Sequence, residues 1–170
     1  MASKQYLGAL FSRLKSKKNE IYFKTGIPRS RLSKLSVASY LNIKGSEFYL
    51  IALALALDLN EMADEVFKDF KAQYQSKLTK ETNLTKFGQF ISSGLIFQKT
   101  IATNTGILES RLSKLALNHK TIPLAKEIYL SALAINKSPS DAFKFMYDDL
   151  KLNPLKEQER LRKEYEPKKK

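Results

Sequence analysis

The chain has 170 residues, carries 30 Lys and Arg against 17 Asp and Glu for a formal charge of +13, and contains no cysteine. The missing cysteines exclude disulfides, thiolate chemistry and cysteine-built zinc sites, while the charge favours a polyanionic partner, because phosphates neutralised by Lys or Arg release condensed counterions. With one His, no glycine-rich phosphate loop and no carboxylates at metal-ligand spacing, neither an enzyme nor a metal or cofactor site is expected.

Nucleic acid is the default polyanion, and an anionic membrane surface is the competing source of negative charge. The opening Met1-Ala2-Ser3-Lys4-Gln5-Tyr6 has no apolar signal core. The most apolar stretch, Phe48 to Leu57, is far short of the roughly 20 residues that cross a bilayer. The expectation is a cytoplasmic, nucleoid-associated protein with no membrane partner and no evident small-molecule ligand.

In chain order, Ser3 suits the N-cap of a first amphipathic helix with Tyr6, Leu7, Leu10, Phe11 and Leu14 on one face. Ser16 suits the cap of a second, Lys17 to Thr25, ending at Gly26, a residue that tolerates the left-handed conformation. Pro28 stands where a third helix begins, with Ile27, Leu32 and Leu35 inward. A loop follows from Ser36 to Gly45. Ser46 then suits the cap of a nearly all-apolar fourth helix through Leu57, and Asn60 that of a fifth from Glu61 to about Leu78.

The plan then recurs. Thr25-Gly26-Ile27 returns as Thr105-Gly106-Ile107, and Ser30-Arg31-Leu32-Ser33-Lys34-Leu35 as Ser110-Arg111-Leu112-Ser113-Lys114-Leu115. Glu47 falls on Glu127, Tyr49-Leu50 on Tyr129-Leu130, and Ala52-Leu53-Ala54 on Ala132-Leu133-Ala134, all without a gap. Two copies indicate a domain duplication. In the second, Asn83 is the equivalent first cap, Pro123 precedes the fourth helix and Ser140 suits the cap of the fifth. The expected organisation is helical domains at 3–78 and 83–150, a linker at 79–82, and a basic C-terminal helix with a disordered tail at 151–170. Within that last segment Asn153-Pro154 interrupts the chain, Glu157 to Tyr165 reads as an exposed helix, and Pro167-Lys168-Lys169-Lys170 as its tail.

The stretch from Lys18 to Leu35 resembles the helix-turn-helix of lambda-repressor/Cro-type regulators, and Gln98 to Leu115 resembles it independently. Gln98 matches the opening residue of the family's second helix, and Ala102 its small residue facing the third. Asn118-His119-Lys120-Thr121-Ile122-Pro123 is similar to the loop after the recognition helix. The resemblance covers roughly Ser3 to Phe70 and Asn83 to Leu150. In the first copy Lys18 replaces the glutamine and Tyr22 the small residue, and Ser33 and Ser113 stand where an acidic residue is usual.

The resemblance implies an all-α fold of two tandem five-helix lambda-repressor-like domains. It implies a double-stranded-DNA regulator that represses by occupancy of two adjacent half-sites through recognition helices 28–36 and 108–116. Base readout would fall to Pro28, Arg29, Ser30 and Lys34 in one copy, and to Leu108, Glu109, Ser110 and Lys114 in the other. Arg29 suits guanine, Glu109 the cytosine amine, and Leu108 a thymine methyl. Lys17, Lys18, Arg31, Lys44, Gln98, Lys99, Arg111 and Lys120 would hold phosphates. Leu32, Leu35, Leu112 and Leu115 read as core, Tyr49 and Tyr129 as packing residues, and His119 as a loop residue. Glu109 could equally repel DNA, which leaves a protein-interaction or antitoxin-like accessory module as the alternative. Further association into a homodimer stays open, as does the choice between twofold and translational arrangement of the copies.

Overall fold

The computed structural model describes residues 6–13, 18–37, 42–67, 84–94 and 96–165. Among them the chain is all-helical. The first repeat supplies α1 (Tyr6–Arg13), α2 (Lys18–Thr25), α3 (Arg29–Val37), α4 (Gly45–Leu55) and α5 (Leu59–Phe67). The second supplies α6 (Lys86–Ser92), α7 (Gln98–Thr105), α8 (Glu109–Leu117), α9 (Ala125–Ala134) and α10 (Pro139–Tyr147), and α11 (Leu155–Tyr165) follows. The 80-residue offset carries α2 onto α7, α3 onto α8 and α5 onto α10 without a change of boundary. The expected caps Ser3, Ser16 and Asn83, the linker 79–82, the end of the fifth helix beyond Phe67 and the tail from Pro167 lie outside the described residues.

Helix starts differ from the sequence expectation by one or two residues, and at α4, α5, α6 and α10 the difference has a hydrogen-bond reason. Helix α4 starts at Gly45, ahead of Ser46, because the Glu47 carboxylate reaches back to accept from Lys44 N at 3.0 Å. Asp58, not Asn60, caps α5: its Oδ1 accepts from Asn60 N at 2.8 Å and Glu61 N at 3.1 Å. Ser138, not Ser140, caps α10, accepting from Asp141 N ahead of Pro139 in the first turn. Thr85 caps α6 through Gly88 N at 3.0 Å. Asn60 is thereby released for another task, since its Oδ1 accepts from Ser140 N at 2.7 Å and Ser138 Oγ at 3.0 Å.

That contact ties the start of α5 to the start of its counterpart α10, and the same relation recurs throughout. Gly45 N donates to Pro123 O at 3.0 Å, and Ala125 N donates to Ile43 O at 2.9 Å. Each bond becomes the other when the repeats are exchanged. The ring pairs Tyr49–Tyr147 and Phe67–Tyr129 exchange in the same way. Helix α4 lies against α9, α10 against α5 and α4, and α9 against α5. The two repeats are therefore related by a local pseudo-twofold axis, not by translation.

The core forms where these four helices meet. Phe48 stacks on Phe143 with centroids 4.9 Å apart and contacts Phe67 at 5.3 Å, all three fully buried. One continuous apolar cluster runs from Leu7 and Leu10 through this junction to Leu112 and Leu115. Each such ring contributes on the order of 1.5–3 kcal/mol by its burial, and the Phe48–Phe143 stack places that burial between the two repeats. Helix α11 also departs from expectation. Its polar face is exposed, but Gln158 and Leu161 are buried against α2 of the first repeat.

Candidate nucleic-acid interface

The two helix–turn–helix units have the same turn. Gly26 and Gly106 take φ of +73° and +70°, a region that costs a residue with a Cβ about 1–2 kcal/mol. Their amides donate to Tyr22 O at 2.7 Å and Ala102 O at 2.8 Å, closing α2 and α7. The preceding threonines fasten the turn: Thr25 Oγ1 donates to Ile21 O and accepts from Ile27 N, while Thr105 does the same with Ile101 and Ile107. Ile21, Leu32 and Leu35 are buried on the inner side of the first unit, and Ile101, Leu112 and Leu115 on that of the second. Tyr22, too large for the position by the sequence expectation, is half-buried against the core.

Burial of one face leaves the other as a stripe. Pro28, Arg29, Ser30 and Lys34 are exposed, as are Leu108, Glu109, Ser110 and Lys114. Each set is thus presented together on one side of its third helix. Of the residues expected at phosphates, Lys44, Lys99 and Lys120 are exposed and Lys18 is half-buried, whereas Lys17 lies outside the described residues. Gln98 turns its Oε1 inward, where it accepts from Ser113 Oγ at 2.9 Å, joining α7 to α8.

Arg31 and Arg111 are placed differently from their sequence expectation. Arg31 donates through Nε and Nη2 to the two carboxylate oxygens of Glu47, both at 2.8 Å, and through Nη2 to Asn42 O at 2.7 Å. Arg111 repeats this with Glu127, at 2.8 and 3.0 Å, and with Ile122 O at 3.1 Å. Most of their donor capacity is spent inside the fold, so they clamp the third helix of each unit onto the fourth. Burial would raise the Glu47 pKa, but hydrogen bonds from Arg31 and the Lys44 amide outweigh it and hold the carboxyl below its ordinary range. The recurrence of Glu47 as Glu127 at the same separation from Arg31 and Arg111 was the sequence signal for this pair.

The units differ in what surrounds the stripe. Around the first, α11 lies along α2: Arg162 pairs with Glu20 at 2.9 Å, and Asn153 N donates to Lys24 O at 2.7 Å. The guanidinium of Arg29 sits over the Tyr165 ring, 4.1 Å from its centroid. Around the second, Leu108 is 74% exposed, and Leu117, 50% exposed, lines a groove with Leu84, Ile91, Phe97, Gln98 and Glu109. Sequence reasoning missed Tyr165 and Arg162. Phe23 could have pointed to them, because it is buried where its counterpart Thr103 is exposed. Among the described residues no group of His, Asp or Glu could hold a metal ion, and no helix is long and apolar enough to cross a membrane. Comparison with protein-family models, with curated proteins and with solved structures gives no match.

Proposed function

We propose that the chain is a sequence-specific double-stranded-DNA-binding regulator, a single-chain pseudodimer of two five-helix lambda-repressor-like units that represses by occupying two adjacent half-sites. The observation that carries this is the pair of matched turns at Gly26 and Gly106, each followed by a helix with an exposed stripe. The charge of +13 supplies the phosphate attraction. Because the bonds across Lys44 and Leu124 are reciprocal, the two half-sites are read in inverted orientation. They are not identical half-sites, since Arg29 in one unit is Glu109 in the other. Covalent linkage makes the second contact intramolecular, at an effective concentration on the order of millimolar.

Selection from a random duplex pool, followed by mobility-shift titration, tests this. The expected result is an imperfect inverted repeat bound with a steep salt dependence. A pool that yields no enriched site, with no shift at low salt, would overturn the proposal. The exposed Leu108, and the exposed Leu117 that lines the groove, favour a second role for the second unit, docking a protein partner in the manner of an accessory or antitoxin-like module. In that case only one half-site would be enriched.

A further inference from the structure

We propose that α11 is a specificity element of the first reading surface, with Tyr165 as the positioning residue that holds the Arg29 guanidinium; this rests on the DNA-reading function proposed above. The helix is fixed at both ends. At its start, Asn153 bonds through its amide to Lys24 O and through Nδ2 to Phe23 O at 3.2 Å, and Gln158 Nε2 returns to Asn153 O at 2.7 Å. Leu161 is buried in the middle. Toward its end, Arg162 pairs with Glu20 and lies 5.5 Å from the Phe23 centroid. The Tyr165 ring meets Phe23 edge-on at 5.9 Å, and Arg29 sits over the same Tyr165 ring.

The order Arg162, Phe23, Tyr165, Arg29 is a continuous chain of cation and ring contacts from the helix flank to the first residue of α3. Its use follows from what a ring does and does not supply. It attracts the cation without offering a hydrogen-bond acceptor. Unlike the Glu47 pairing of Arg31, it therefore leaves guanidinium donors for the edge of a base. Arg29 stays exposed, so the ring orients it and does not hide it. An arginine oriented in advance loses less rotamer freedom when it grips a base. The second unit has no such support, since Glu109 replaces the cation and Thr103 replaces the ring.

The test uses the full chain with Tyr165→Ala, Tyr165→Leu and Tyr165→Phe, each put through selection from a random duplex pool and titration on the wild-type site. The leucine keeps apolar packing on Phe23 without a π face, and the phenylalanine keeps both. Alanine and leucine should weaken binding about two- to five-fold. They should also relax preference at one base-pair position, the one lost in Arg29→Ala, while phenylalanine preserves both. Added to Arg29→Ala, Tyr165→Leu should cause no further loss. An unchanged preference at that position, or tighter binding on removal of the ring, overturns the proposal and, in the second case, makes α11 a cover. A wild-type chain that enriches no site overturns the DNA-reading function and the proposal together, a result distinct from either.

Discussion

Lys44 and Leu124, equivalent positions in the two repeats, pair with each other as an antiparallel bridge at the pseudo-twofold axis. A residue that meets its own counterpart marks an isologous contact, of the kind that joins two copies in a homodimer. Here the linker between the repeats makes it internal to one chain. Duplication also let the two sides of the contact diverge. A Cβ on Gly45 would come within 2.5 Å of Tyr147 Oη and 2.4 Å of Ile128 Cδ1. At the exchanged position Ala125 carries that Cβ, and the counterpart of Tyr147 is Phe67, which has no hydroxyl to meet it.

Gly45→Ala should therefore destabilise the fold by about 1–3 kcal/mol through overpacking at the junction. Adding Tyr147→Phe should recover part of that loss, leaving the contacts with Ile128 Cδ1 and the residue 147 ring carbon as the remainder. Tyr147→Phe alone should be neutral or mildly stabilising, because the buried Tyr147 hydroxyl has no hydrogen-bond partner and burial pushes its pKa up. Urea titration of the three variants checks the set. A loss in the double variant equal to the sum of the two single effects would mean that the two residues are not coupled.

The clamp between Arg31 and Glu47 gives a pH dependence. The Glu47 carboxyl is held below its ordinary 4.5, so the folded state binds its proton less readily than the unfolded one. Its contribution is complete above about 4.5 and is lost as pH falls through the depressed folded value. Glu47→Gln should cost about 1.5–3 kcal/mol at neutral pH, the range for hydrogen bonds to charged groups. The gap to wild type should narrow below that pH. Parallel stability curves from pH 7 to 3 would show that Glu47 is not the titrating group.

Much of this fold was legible in the sequence because the repeat multiplies weak signals. One Thr-Gly-Ile or Ser-Arg-Leu-Ser-Lys-Leu motif fits many helices, but two at one offset fix the turns and inner faces together. Caps were read less well. Ser46, Asn60 and Ser140 are good capping types, but Glu47, Asp58 and Ser138 were better placed, and capping depends on which side chain reaches the free amides. Arg31 and Arg111 are chemically suited to phosphate, and only the position of Glu47 and Glu127 across α4 and α9 reveals their internal use. The seat of α11 was hidden because its polar composition reads as solvated, while the residues that anchor it, Glu20, Phe23 and Lys24, lie some 130 positions away.

The ends of α4 and α9 supply a stability prediction. Both close on a left-handed residue at equivalent positions, Ala56 with φ of 53° and Asn136 with φ of 57°. The following amides bond back in the same way, Leu57 N to Ala52 O at 3.0 Å and Lys137 N to Ala132 O at 2.8 Å. Asparagine tolerates this region through local hydrogen bonding, whereas alanine carries the steric cost of its Cβ. Ala56→Gly or Ala56→Asn should raise stability by about 1 kcal/mol. Thermal unfolding checks this, and a lower midpoint for both variants would place the strain elsewhere.

Arg29 and Arg31 stand two residues apart on α3 and should fail differently. Arg31 is committed to Glu47 and Asn42, so Arg31→Ala removes the partner of a largely buried carboxylate and should cost stability. Arg29 is exposed and sits over the Tyr165 ring, so Arg29→Ala should leave the unfolding midpoint nearly unchanged. On the selected site it should weaken binding by about 1–3 kcal/mol while binding to random duplex falls much less, as expected for a base contact. Parallel melting and titration of the two variants separate the roles. If Arg29→Ala instead weakens specific and random duplex equally, Arg29 is a phosphate contact, and the base-reading stripe of α3 begins at Ser30.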